Sequence, residues 1–295
     1  MMTKNLNPIS IVCVCDNHYI VLLGALIKSI EVNNSDNRSL EFYIVEEGIT
    51  KANKKKLVDS VDEKQVRITW LPISTCIPKD IKLPADINSL PTNIYARLFI
   101  SEFLPSNIDQ VIYLDVDMIV LSPISKLWDI NLGHKIVAAV QDQFIQTVSR
   151  WGGVPNYEHF GIAPEQKYFN SGLMLINLPK WRAANVSDRV ISCIHENKEF
   201  SQFADQYGLN VVLHANWLEL DPLWNCFAYS EHKNPYLIHF TGRKPIYKSY
   251  NFSEEYRNHF YNYLKQTEWN NFKPINETRR YVKKIMNVVH KFLSI

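Results

Sequence analysis

The residue pattern predicts an α/β protein with a mostly parallel central sheet and helices on both faces. Three observations carry this expectation. Apolar, β-rich runs alternate with helix-spaced stretches from Ile9 to Leu71, the order that gives parallel strands joined by crossover helices. A further apolar run, Gln110 to Leu114, stops abruptly on an acidic pair. The chain has 295 residues and is 46% apolar, enough for one large domain with a substantial core.

The elements follow in order. Ile9 to Cys15 reads as a buried strand that ends at the turn-like Asp16-Asn17-His18. Tyr19 to Ile30 reads as a helix, with Leu22, Leu23, Leu26, Ile27 and Ile30 at helical spacing. Leu40 to Val45 is a second strand, Thr50 to Val61 a helix with a Lys-rich outer face, and Val66 to Leu71 a third strand. Pro72 to Pro91 carries four prolines and reads as a loop with short helical pieces. Tyr95 to Phe103 resumes a helix, Gln110 to Leu114 is a strand, and Ile136 to Val140 is another. Gln143 to Lys167 is long, aromatic and irregular, Phe169 to Asn177 is a strand, and Asn185 to Asn197 is a helix. His214 to Tyr247 is rich in Trp, Asn and Pro, as in loops that line a site.

Charge and cysteine content narrow the class. The net charge is +2, so the chain has no overall attraction for nucleic acid. Basic residues gather near the C-terminus, where Arg279, Arg280, Lys283, Lys284 and Lys291 face Glu277 alone. The five cysteines are odd in number and form no Cys-x-x-Cys, which points to reduced thiols and a cytosolic compartment. Met1 to Pro8 has no apolar signal region. No apolar run reaches the roughly 18 residues of a membrane span.

Asp115-Val116-Asp117 is the first feature that carries chemistry. Ligands of open α/β sheets bind beyond the carboxyl ends of the strands. Two carboxylates in that position, one residue apart, can turn toward one hard cation. Magnesium or manganese held there would bridge diphosphate oxygens. Alone, the pattern fits a solvated turn equally well. It also fits the opening motif of haloacid-dehalogenase-like phosphatases, but those require a later Gly-Asp, which this chain lacks.

Several separated segments, taken in order, change that balance. They are Val14-Cys15-Asp16-Asn17-His18-Tyr19, Tyr95-Ala96-Arg97-Leu98, Val111 to Asp117, Tyr168-Phe169-Asn170-Ser171-Gly172 running on to Leu178, Asp205-Gln206, and His239 to Pro245. With these the chain resembles glycosyltransferase family 8, most closely its bacterial lipopolysaccharide and lipooligosaccharide galactosyl- and glucosyltransferases. The resemblance implies a GT-A type nucleotide-sugar fold, a UDP-hexose donor, an oligosaccharide or lipid-linked glycan acceptor, and retention of anomeric configuration.

It also implies roles for single residues. Asp16 would accept a hydrogen bond from the uracil imide, unless it serves only to cap the next helix, and Tyr19 would stack on the base or simply pack. Asn17 stands where relatives often have a second Asp. Asp115, Asp117 and His239 would hold the cation, and an imidazole favours manganese over magnesium. Val116, Gly242 and Lys244 would line the diphosphate, although relatives usually have one more residue between the Gly and the Lys. Arg97 would reach the donor sugar and phosphate; its alternative is a surface charge. Asn170 and Asp205 would bind sugar hydroxyls, Gln206 would lie nearest the reactive face of the anomeric carbon, and Asp142 would be a further active-site carboxylate. Gln206 is a poor nucleophile, so attack from the leaving-group side is the expected route to retention. The competing class is a catalytically idle nucleotide-sugar binding module.

The expected division is a transferase domain over 1–250 and a helical segment over 251–295. Tyr281, Ile285, Val288, Val289 and Phe292 repeat at helical spacing beside the basic residues, the pattern of a helix that lies on an anionic membrane surface. With the resemblance, this implies a peripheral enzyme on the cytoplasmic face of the cell membrane.

Overall fold

A computed structural model describes residues 7–84 and 92–277. The first third alternates as expected: β1 (Ile9–Asp16), α1 (Ile20–Val32), β2 (Leu40–Glu47), α2 (Lys51–Asp59) and β3 (Val66–Pro72). β1 pairs in parallel with β2, and β2 with β3. β1 is mostly apolar because both of its faces are covered; Ile9, Ile11, Val12 and Cys13 have no exposed surface. Each such side chain contributes about 1.5–3 kcal/mol on burial. In α2, Thr50 caps the Asn53 N–H, and Leu57 is buried while most of the lysines face out.

After α3 (Ile73–Cys76) comes a 3-10 helix, Thr92–Phe99, which runs into the single turn α4 (Ile100–Phe103). The sequence reading expected one helix from Tyr95 to Phe103. The tighter winding sets Ile94 and Arg97 three apart on one edge, where Arg97 Nε donates to the Ile94 carbonyl at 3.2 Å. Then follow β4 (Gln110–Leu114), β5 (Met118–Val120), α5 (Ser125–Trp128), β6 (Val137–Gln141), a 3-10 turn at Tyr157–Phe160, and β7 (Phe169–Asn177). Next are α6 (Leu178–Ala183), α7 (Val186–Glu196), α8 (Ala204–Leu213) and β8 (Trp217–Glu219). A 3-10 helix, Pro222–Asn225, β9 (Cys226–Phe227), β10 (Leu237–His239) and α9 (Glu254–Leu264) complete the order.

The main sheet runs β3-β2-β1-β4-β7-β6-β8. Among the described residues β7 alone opposes its neighbours, pairing antiparallel with β4 and β6. A small second sheet, β5-β10-β9, sits beside it. These short strands escaped the sequence reading because two or three residues show no period. α8 escaped it for another reason. It is buried on nearly every side, and Gly208 interrupts it because a Cβ there would come within 2.8 Å of Val190 and 2.9 Å of Ile194 on α7.

All five cysteines are buried, and none of them forms a disulfide. The expected boundary at residue 250 precedes α9, whose Tyr256, Phe260 and Leu264 pack into the core that contains α1. The basic helix expected from Tyr281 to Phe292 lies outside the described residues. Among the described residues no helix is long and apolar enough to cross a membrane.

Candidate active site

Strand polarity assembles the site. β1 ends on Asp16, β4 leads into Asp115, and β6 leads into Asp142. Because β7 runs the opposite way, its first residues, Asn170 to Gly172, stand at this same edge. The register shift between Ala139 and Val140 sets Val140 opposite Asn170, a bulge that re-aims the end of β6. β10 pairs antiparallel with β5, and this sets His239 opposite Met118, with Phe240 N donating to the Asp117 carbonyl at 2.8 Å.

Asp115, Asp117 and His239 come together from these segments. One ligand atom from each lies within 4.8 Å of the others. His239 Nε2 is 3.4 Å from Asp117 Oδ1 and 4.0 Å from Asp115 Oδ2. Two carboxylates and an imidazole suit a divalent first-row cation. Gly172 makes room for them: a Cβ there would lie 2.7 Å from His239 Cε1 and 2.8 Å from Asp115 Oδ2. Lys244 Nζ ion-pairs with Asp117 Oδ2 and donates to the Phe240 carbonyl at 2.8 Å. Burial alone would raise the Asp117 carboxyl; Lys244 and His239 outweigh it and hold that group well below the usual carboxylate range.

Arg97 is buried, at 7% exposure, so the surface-charge alternative does not hold. Its NH2 is 3.2 Å from Asp115 Oδ1, and its NH1 donates to the Ser171 carbonyl at 3.0 Å. The guanidinium lies 4.7 Å over the Tyr113 ring, whose hydroxyl donates to Asp115 Oδ1 at 2.7 Å. Nε is 3.1 Å from Asp205 Oδ2, but its N–H points to Ile94, so that pair is held by charge more than by an aligned hydrogen bond. Burial pushes the Asp205 carboxyl up to about 6, with Arg97 opposing the shift.

Asn170, Asp142 and Gln206 form one locked unit. Asp142 Oδ1 accepts from Phe144 N and Ile145 N, both at 2.8 Å, and Oδ2 accepts from Asn170 Nδ2 at 2.9 Å and Gln206 Nε2 at 3.4 Å. These four donors fill the positions a carboxylate offers. Asn170 is equally committed: Nδ2 also reaches Gln206 Oε1 at 3.2 Å, and Oδ1 accepts from Gly172 N and Asn225 Nδ2. Gln206 Oε1 accepts in addition from Ser171 N at 3.0 Å and Ser171 Oγ at 3.3 Å.

Asp16 Oδ1 accepts from His18 N at 2.9 Å and Tyr19 N at 3.0 Å and closes the turn that leads into α1; the N-cap of α1 is Tyr19, so Asp16 is not its cap. Asn17 Oδ1 accepts from Thr50 N and Asn53 Nδ2, which ties this turn to the start of α2. Asp16, Tyr19, Val116 and Lys244 line a cleft of about 360 Å³, together with Arg97, Asp115, Asp117, Asn170, Asp205 and Gln206. A second cavity of about 470 Å³ adjoins it and shares Asn170, Phe203 and Gln206. Asp142, Phe144, Phe227, Tyr229, Gly242 and Phe252 complete this second wall. Gly242 is thus on the second cavity, not the first.

Asn225, Tyr113, Ser171 and Phe203 are site residues the sequence reading missed. Tyr113 lay inside the matched strand and Ser171 inside the matched Asn-Ser-Gly, so a signal existed for both. Asn225 and Phe203 lie in stretches with no pattern of their own.

A family model described as Glycosyl transferase family 8 matches residues 10–246. General stress protein A of Bacillus subtilis (strain 168) is 30% identical over 281 residues, covering 88% of this chain and 94% of that protein. Lipopolysaccharide 1,2-glucosyltransferase of Escherichia coli (strain K12) is 28% identical over 253 residues, covering 79% of this chain and 71% of that protein. Glycosyltransferase GlyB of Streptococcus pneumoniae serotype 4 (strain ATCC BAA-334 / TIGR4) is 30% identical and longer, and the match covers 63% of it. Among solved structures, galactosyltransferase LgtC in complex with donor and acceptor sugar analogs aligns with a TM-score of 0.72 at 24% identity, over 88% of this chain and 96% of that one. The structural likeness concerns the fold.

Proposed function

The chain belongs to glycosyltransferase family 8 and carries an Asp-x-Asp motif at Asp115–Asp117, and from this premise we propose that it is a retaining, metal-dependent hexosyltransferase. It moves galactose or glucose from UDP to a hydroxyl of a glycan acceptor of the lipopolysaccharide or lipooligosaccharide core class. The observation that carries this reading is the convergence of Asp115, Asp117 and His239, 124 positions apart in sequence at the extremes, within 4.8 Å of one another.

Asp115, Asp117 and His239 would hold manganese or magnesium. A divalent cation held there would supply positive charge to offset that of the departing diphosphate. Lys244 adds a second positive charge on the same side. It rests on Asp117 and lines the same cleft. Asp16 and Tyr19 flank the uracil at the far end of the cleft. Arg97 balances Asp115 and Asp205 and keeps both carboxylates fixed around the sugar, so its part is indirect. Asp205 faces the sugar hydroxyls.

The route to retention follows from the same hydrogen bonds. Gln206 Oε1 already accepts three hydrogen bonds, which leaves it a poorer nucleophile than a free amide. Asp142 has all four acceptor positions filled, so its part is to organise Gln206 and Asn170. Attack from the face of the leaving group therefore fits best, with the leaving phosphate accepting the acceptor's proton. The acceptor enters through the aromatic second cavity, which shares Asn170 and Gln206 with the donor cleft. Positive charge from Arg279 to Lys291 suits an anionic membrane surface at the cytoplasmic face; removal of residues from Asn276 onward should release the protein from anionic vesicles and leave transfer to soluble acceptors intact.

The test is a screen of UDP-hexoses with manganese present, reading hydrolysis and transfer for the wild type and Asp117→Asn. One UDP-hexose should turn over, and the variant should lose on the order of 10³-fold while keeping its fold. Near-normal turnover by Asp117→Asn would sink the metal assignment. No turnover of any donor by the wild type would favour a binding module.

A further inference from the structure

The structure assigns Asn225 as the positioning residue that turns the His239 lone pair toward the two carboxylates, at the end of a hydrogen-bond chain anchored on a backbone N–H. The assignment rests on the metal site proposed above. Each link has a forced direction. Gly172 N can only donate, and it donates to Asn170 at 3.1 Å, so the accepting atom is Oδ1. The same Oδ1 lies 3.0 Å from Asn225, which must therefore donate with Nδ2. Asn225 then presents Oδ1 to His239 Nδ1 at 2.9 Å, and an amide oxygen can only accept. The proton of the neutral ring is thus on Nδ1. Nε2 carries the lone pair, and Nε2 is the atom 3.4 Å from Asp117 Oδ1.

Nothing competes for these roles. Asn225 has no exposed surface and His239 has 3%, so water does not substitute for the amide. Asn170 cannot flip to relieve a change at 225, because its Nδ2 is held by Asp142 Oδ2 at 2.9 Å and by Gln206 Oε1. The local fold brings Asn225 there: Asp221 caps the 3-10 helix by accepting from Leu223 N, and the parallel β9–β10 pairing sets Phe227 opposite His239. The chain also joins the two halves of the site. Asp142 fixes Gln206 beside the acceptor cavity and, through Asn170 and Asn225, fixes the ligand His239.

Partners of this kind set ligand orientation and tune affinity by about 10- to 100-fold. The experiment is titration of the full-length protein with Mn²⁺ alone, followed by electron paramagnetic resonance of the free ion, for the wild type, Asn225→Leu, Asn225→Asp and Asp117→Asn. Asn225→Leu should weaken Mn²⁺ binding about 10- to 100-fold. Asn225→Asp keeps an oxygen acceptor for Nδ1 and should weaken it by less than Asn225→Leu. Asp117→Asn should weaken binding at least as much as either. A second measurement needs no variant: nitrogen-15 spectra of the nine histidines in the metal-free wild type, at a pH where the ring is neutral, should give His239 an unprotonated Nε2. Wild-type affinity in a folded Asn225→Leu, or a protonated Nε2 in the neutral ring, overturns the role of Asn225. Wild-type affinity in Asp117→Asn overturns the metal site itself, so the two failures are distinguishable.

Discussion

The two walls of the cleft are built in different ways. On the cation side, Asp115, Asp117, Asn170, Gln206 and His239 are held by side-chain hydrogen bonds and ion pairs to one another and to backbone N–H groups. On the aromatic side, Phe144 and Tyr229 line the adjoining second cavity and stand 62% and 46% exposed, and Trp151, 69% exposed, packs on Phe144 and Phe203. Phe144 meets Trp151 edge to face at 6.1 Å, and Trp151 meets Phe203 at 6.3 Å. The first wall fixes single atoms, because coordination and charge–charge contacts depend on position to a few tenths of an ångström. The second supplies area and shape to a ring face, which tolerates more movement.

A pair of glycines can break that contrast or sharpen it. Gly172 sits where a Cβ would press on His239, Asp115 and Asn170 Oδ1 at 2.7, 2.8 and 2.9 Å. Gly152, at φ +83, sits where a Cβ would meet Phe203 at 2.8 Å and Ile145 at 3.0 Å. Both Gly→Ala changes should destabilise the fold by about 1–3 kcal/mol, the usual cost of overpacking. Gly172→Ala should also cut UDP-hexose hydrolysis on the order of 10²-fold, because it displaces cation ligands. Gly152→Ala should leave donor hydrolysis within about threefold of the wild type, since it shifts the Phe203 ring without removing it from the cleft. Thermal unfolding together with hydrolysis rates checks this, and an equal loss of hydrolysis in both variants would abolish the distinction between the walls.

A smaller effect is expected from pH. Asp205 is buried, and burial lifts its carboxyl to about 6 against the pull of Arg97. Its folded value therefore lies above its unfolded one. Ionisation of this group costs the fold stability; the cost is absent below the ordinary carboxylate range and complete above about 6. The charged form is the one that balances Arg97 and, in the proposed reaction, would accept from a sugar hydroxyl, so kcat/KM for the donor should fall as pH drops through about 6. Asp205→Asn should be slower throughout and should lose that acidic limb. A limb that survives in Asp205→Asn belongs to another group.

The same contrast explains what was legible in the sequence. Asp115 and Asp117 stood out because a spaced carboxylate pair directly follows an apolar strand, whereas His239 and Asp205 were legible only through the ordered segments that resemble the family; Asp205 lies in the first turn of α8. β1, β4 and β7 were legible from their buried apolar runs, and β2 and β3, which alternate between covered and more open positions, from their β-branched and aromatic residues. The reversal of β7 was not, since both orientations give the same run. Arg97 read as a possible surface charge because helical periodicity does not report what covers a side chain. Asn225 carried no signal: a lone Asn before a two-residue strand looks like any loop Asn, and its role exists only once Gly172, Asn170 and His239 are in contact. The aromatic wall was legible only as composition. Gln143 to Lys167 contains Phe144, Trp151 and Tyr157 without a period, and the loop shape that brings Trp151 against Phe203 is set by Gly152 and by tertiary contacts.

The smallest effect should come from the most exposed ring. If the acceptor glycan lays an apolar sugar face against the aromatic wall, Trp151→Ala removes a stacking partner worth about 1 kcal/mol. The KM for a glycan acceptor should then rise roughly fivefold, with donor hydrolysis unchanged. Phe144→Ala removes a smaller ring that lines the second cavity itself and should act in the same direction. Phe203→Ala separates this reading from a general loosening of the loop. Phe203 lines both cavities, so its removal should raise the acceptor KM and also slow donor hydrolysis, whereas Trp151→Ala should act on the acceptor alone. An unchanged acceptor KM in Trp151→Ala, measured with an acceptor of at least two sugar units, would assign the exposed ring to some other contact and leave the donor wall as the better understood half of the site.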